Sequence, residues 1–71
     1  MNIRKISIGP DYTSAMHYIL GQDILNGNFK IHLIKKEQSS IVIYIERDNE
    51  ILLWKEFTDT MPISIEYNIN F

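Results

Sequence analysis

The segment from Gly9 to Gly21, Gly-Pro-Asp-Tyr-Thr-Ser-Ala-Met-His-Tyr-Ile-Leu-Gly, has a helical rhythm in a chain that otherwise alternates like β-sheet. Tyr12, Ala15, Met16, Ile19 and Leu20 fall at i, i+3, i+4, i+7 and i+8, which puts them on one stripe of an α-helix. Pro10 and Asp11 suit a first turn or N-cap, and Gly21 suits the positive φ of a C′ residue. Such a stripe needs a sheet to cover.

The remaining segments supply that sheet. Ile3 to Ile8 alternates and is stopped by Gly9-Pro10. Asn26-Gly27 marks a turn, with Ile24-Leu25 before it as an anchor against the helix end. Phe29 to Lys35 then places Phe29, Ile31 and Leu33 on one face and Lys30, His32 and Ile34 on the other. Glu37 to Ser40 turns the chain into Ile41 to Glu46, where Ile41, Ile43 and Ile45 oppose Val42, Tyr44 and Glu46. Asp48-Asn49 fits a two-residue hairpin that sets Arg47 opposite Glu50, Glu46 opposite Ile51, Ile45 opposite Leu52, Tyr44 opposite Leu53, Ile43 opposite Trp54 and Val42 opposite Lys55. After Thr58 to Pro62, the residues Ile63, Ile65, Tyr67, Ile69 and Phe71 form a dry face opposite Ser64, Glu66, Asn68 and Asn70. The expected fold is α+β in the order β-α-β-β-β-β, one amphipathic helix on a mostly antiparallel sheet of about five strands.

With 71 residues there is room for a single domain spanning 1–71, near the size at which one core is marginal. One helix cannot cover both faces of the sheet, and the second face is mixed, with Val42, Tyr44, Ile51, Leu53 and Phe57 beside Glu46 and Lys55. A second copy of the chain is the expected cover. Seven Lys and Arg are scattered among nine Asp and Glu, and the net charge is −2, so duplex nucleic acid is a poor partner. The chain has no cysteine and two histidines, which argues against a disulfide framework or a zinc site, and no cofactor is indicated. The basic start lacks the apolar run of a signal peptide and no stretch is long enough to span a membrane, so the expected location is the cytoplasm.

His17 and Tyr18, opposite or flanking the stripe, are expected to be at least partly exposed, and with Gln22 they are positioned to close a pocket at the helix end. Lys30, His32, Tyr44 and Lys55 on the open sheet face offer charge and stacking of the kind that holds nucleotides. The helix start at Tyr12 and Thr13 offers free backbone N–H groups to an anion, although capping explains the same residues. No nucleophile motif, paired carboxylates or metal-ligand spacing accompanies the histidines, so no catalytic residues are assigned.

Ile8-Gly9-Pro10-Asp11-Tyr12, the run Ala15-Met16-His17-Tyr18 through Gly21-Gln22, and the ending from Met61-Pro62 to Phe71 resemble a small conserved bacteriophage protein of unassigned activity. The resemblance implies a counter-defence or host-takeover protein and transfers no functional residue. The expected function is therefore non-enzymatic: a homo-oligomer that sequesters a nucleotide-type signal such as a cyclic nucleotide. The alternative is an inhibitor or adaptor that docks onto a host protein.

Overall fold

The computed structural model describes residues 2–11, 13–58 and 60–68. It contains no helix among them. Its strands are β1 (Ile3–Ile8), β2 (Met16–Ile19), β3 (Asp23–Ile24), β4 (Phe29–Lys36), β5 (Ser40–Arg47), β6 (Glu50–Thr58) and β7 (Ile63–Tyr67). They form two antiparallel sheets, β2-β1-β7 and β3-β4-β5-β6. The fold is all-β, which corrects the expected α+β arrangement of a helix on a sheet.

The correction falls on the segment 9–21. Ile8 pairs with Met16, Ser7 with His17, Ile6 with Tyr18 and Lys5 with Ile19, so the second half of the supposed helix is a strand laid against β1. Two physical terms favour this outcome. A helix of about ten residues is marginal in water, and Tyr, Ile, His and Thr are weaker helix formers than strand formers. Strand β1 also gains a ladder on its second edge, satisfying backbone groups that a helix would leave open. The capping signal is real but serves a turn: Asp11 Oδ1 accepts hydrogen bonds from Thr13 Oγ1 at 2.8 Å and Ser14 N at 3.0 Å. Those bonds, the Thr13 hydroxyl first, hold the Asp11 carboxyl below its usual pKa.

The helical stripe is accordingly not a buried face. Met16 is 61% exposed, whereas Tyr18, expected on the outside, is 8% exposed. Tyr18 meets Trp54 with ring centroids 5.8 Å apart and edge-on, and Phe57 at 5.6 Å. This burial raises the Tyr18 phenol above its usual pKa. The aromatic trio joins the β2 side of one sheet to the β6 side of the other.

Between the sheets lies a core made almost wholly of isoleucine. Ile3, Ile6 and Ile8 from the three-stranded sheet meet Ile31, Ile34, Ile41, Ile43 and Ile45 from the four-stranded one. β-branched side chains stiff at χ1 suit such a pleated, two-sided core. At the corner between β2 and β3 the chain passes from one sheet to the other. Leu20 N donates to Arg4 O, Gly21 N to Ile31 O, and Ile31 N to Gln22 O.

The β5-β6 hairpin turns at Asp48 and Asn49, whose φ values of 51° and 66° are those of a two-residue primed turn. Four expected pairs are observed: Arg47 with Glu50, Glu46 with Ile51, Ile45 with Leu52 and Tyr44 with Leu53. A bulge then places Trp54 as an extra residue, so Ile43 pairs with Lys55 and Val42 with Glu56. A second bulge in β4 leaves His32 as the extra residue between the pairs Ile31–Ile45 and Leu33–Tyr44. It carries Ile34 into the core and Leu33 to the outside, the reverse of strict alternation.

Candidate functional site

The two bulges together compose the outer face of the four-stranded sheet. Directly paired residues on adjacent antiparallel strands share a face, so this one is built from cross-strand rows. Leu33, Tyr44 and Leu53 form the central row. On one side lies Lys35–Val42–Glu56, and on the other Lys30–Glu46–Ile51. Leu33 is 40% exposed, Ile51 51% and Leu53 58%, while Tyr44 is intermediate. The face therefore has an apolar centre with charged residues at its margins.

The marginal charges are held in place locally. His32 Nδ1 lies 3.1 Å from Glu46 Oε2, and Lys30 Nζ lies 4.0 Å from Asp23 Oδ1. Lys35 Nζ lies 3.6 Å from Glu37 Oε1. Glu56 Oε2 accepts a hydrogen bond of 3.0 Å from the Ser40 hydroxyl, the buried polar side chain beneath it.

Of the ligand set expected from the sequence, Lys30, His32 and Tyr44 do share this face. Lys55 does not: the bulge at Trp54 pairs it with Ile43, and its ammonium sits 4.9 Å over the Trp54 ring. His17 and Tyr18 lie on the other sheet, Tyr18 in the core. Gln22 is at the corner, where its Oε1 accepts from Ile19 N at 3.0 Å. The chain does not gather these residues into one pocket. Thr13 belongs to the β1-β2 turn rather than to a helix start, so no helix terminus is there to bind an anion, and Tyr12 lies outside the described residues.

A cleft of about 400 Å³ adjoins the face where β4 passes the ends of β1 and β7. Ile3 and Ile34 contribute apolar surface, and Leu33, Lys35, Lys36 and Tyr67 line the rest. Tyr67, expected in the core, is 43% exposed here, at the end of β7 opposite Ile3. Lys36 Nζ donates to Glu37 O at 2.7 Å. No local pattern marks this cleft: Lys35-Lys36-Glu37 has the look of a solvated strand end, and Tyr67 falls on the dry side of an alternating strand.

On the wet face of the three-stranded sheet, Ser7 Oγ and His17 Nδ1 are 2.7 Å apart. They are direct ladder partners, so the register alone explains their contact. The carboxylates lining the neighbouring cleft of about 220 Å³ already have partners, Asp11 in Thr13 and Ser14, and Glu66 in Lys5 of the same cleft at 3.9 Å. Among the described residues no group of three or more His, Asp or Glu is placed to hold a metal ion, and no helix is long and apolar enough to cross a membrane.

Fold and face together define a small two-sheet β protein with one open apolar sheet face. No known protein family, curated protein or solved structure matches the chain. The phage resemblance and its counter-defence implication gain no support from these comparisons.

Proposed function

We propose that the chain is a non-enzymatic contact module that docks onto protein through the outer face of its four-stranded sheet. The observation that carries this reading is the exposed row Leu33–Tyr44–Leu53 with Ile51 beside it, bordered by charged residues. Contiguous apolar surface with a polar border is the usual anatomy of a protein interface. Both leucines are at least 40% exposed, so replacing them with aspartate leaves the core intact and removes the apolar centre.

The test uses immobilised wild-type chain and a Leu33→Asp, Leu53→Asp variant as baits for untagged copies of the chain and for cell lysate. The expected result is a protein, the chain's own copies included, held stoichiometrically by the wild type and at least tenfold less by the variant. Equal retention by the two baits overturns the reading.

A second reading, capture of a nucleotide-type ligand, is favoured by one observation, the cleft that places Lys35, Lys36 and Tyr67 around apolar Ile3 and Ile34. Its volume lies within the usual range for small-ligand sites, about 300–1,000 Å³. Calorimetry against cyclic di- and trinucleotides is expected to show heat that is lost in Tyr67→Ala. Silence across the panel at high micromolar concentration sinks it.

A further inference from the structure

We infer that the partner of the outer face is a second copy of the chain, related by a two-fold axis that lies in the interface and runs parallel to β5. This rests on the contact-module reading and names the protein that fills the face.

The charge pattern selects the axis. Two copies can meet face to face about an in-plane axis either along the strands or across them. With the axis along β5, the β4 side of one copy meets the β6 side of the other. Lys35 then faces the second copy's Glu56, Leu33 faces its Leu53, and Tyr44 meets its own counterpart, with the buried Val42 beneath the Lys35–Glu56 row. Each exposed leucine of the central row finds a leucine and the opposite charges pair twice by symmetry, while at the far end of the face Lys30 falls opposite Ile51 and Glu46 opposite its own counterpart. With the axis across the strands, β4 meets β4, Lys35 is brought toward Lys30 and His32, and Glu56 is brought against Ile51. That arrangement sets like charges together at the margin and leaves Glu56 against an apolar side chain.

Sheet twist places the contact where the charges match. Stacked twisted sheets align within about 30° and splay toward their corners. Contact centred between the Leu33–Tyr44–Leu53 row and the Lys35–Glu56 row keeps those charges inside the interface and leaves Lys30, Ile51 and Glu46, with His32 at 3.1 Å, toward the open edge. The face is also small. About ten side chains a side is well below the 20–30 of a standard interface, so the expected association is weak, with Kd in the micromolar range.

The strands that would meet carry the bulges that make the match possible. Without the extra residue at Trp54, Lys55 would stand opposite Val42 and the row would read Lys35–Val42–Lys55, with no acid to receive the partner's lysine. The bulge substitutes Glu56 at that position.

The test is sedimentation equilibrium at low salt, up to about 1 mM chain. Wild type is expected to dimerise, and Lys35→Glu to weaken the dimer about tenfold by turning two attractions into repulsions. Lys36→Glu, the same change of charge at the residue paired with core Ile41, is expected to shift it less than threefold. Combining Lys35→Glu with Glu56→Lys is expected to restore association, and Glu56→Gln, which keeps an acceptor for Ser40, to weaken it about threefold. Unfolding curves of each variant establish that it is folded. A chain that stays monomeric throughout overturns the inference while the contact reading stands or falls on the foreign proteins retained by the baits. A dimer unmoved by Lys35→Glu overturns it as well, and a dimer strengthened by Lys35→Glu assigns the other axis and overturns it.

Discussion

Replacing Tyr18 with alanine is expected to lower the free energy of unfolding by about 3–5 kcal/mol, the cost of emptying a buried aromatic site. The ring is 8% exposed, stands opposite Ile6 in the ladder, and touches both Trp54 and Phe57. It is the piece through which β2 and β6 close one side of the sandwich. A domain of ordinary stability has only about 5–15 kcal/mol to lose, and small domains sit low in that range, so this variant should be largely unfolded at ambient temperature. Trp54 is the chain's one tryptophan, so its fluorescence during urea unfolding reads the trio directly. On the open side of a helix, Tyr18 would be replaceable at a cost within about 0.5 kcal/mol. A variant as stable as the parent would therefore count against the two-sheet packing itself.

The second large effect is expected at Gly9, where the chain leaves β1. Its φ is 149°, and a Cβ added there would lie 2.7 Å from the Cα of Ala15, a backbone atom that cannot rotate away. Its N–H also donates to Pro62 O at 2.9 Å, tying the end of β1 to the start of β7. Gly9→Ala must therefore move the 9–15 turn away from the ladder or lose that bond, an expected loss of about 2–4 kcal/mol. Gly21 supplies the control: its φ is 83° but nothing lies within 4 Å of an added Cβ. Gly21→Ala carries only the left-handed strain, about 1–2 kcal/mol. Paired denaturation curves should rank Gly9→Ala well below Gly21→Ala, and equal midpoints would refute the close approach.

Much of the strand layout was legible because its signals are local. Ile41, Ile43 and Ile45 alternate with Val42, Tyr44 and Glu46, and Asp48-Asn49 fixes the hairpin, so the register near that turn follows from residue identity alone. Two kinds of information were not local. The helix expected over Gly9–Gly21 rests on spacing that a short, turn-interrupted strand can imitate by chance, and the choice was made by the ladder offered by β1. The bulges at His32 and Trp54 arise in the apolar runs Leu33-Ile34 and Leu52-Leu53-Trp54, where either of two neighbours can turn inward. In β4 the core takes Ile34 rather than Leu33, and in β6 it takes Trp54 and Phe57 for contact with Tyr18. Sequence gives no measure of that competition, since the deciding partners come from the other sheet.

The candidate site suffered most from the same two residues. Shifting one strand by one place exchanged Lys55 for Glu56 on the outer face, turning an expected basic and aromatic platform into a row with both charges. A three-stranded sheet takes the place of the expected helix as the cover of one face, and on the other face Leu33, Ile51 and Leu53 stay exposed around Tyr44.

Backbone nuclear Overhauser spectroscopy in solution tests the whole account most directly. The account predicts cross-strand contacts between Ser7 and His17 and along Leu33, Tyr44 and Leu53, with extended-chain shifts from Met16 to Ile19. Sequential amide–amide contacts running unbroken from Asp11 to Leu20, with none between Ser7 and His17, would contradict it.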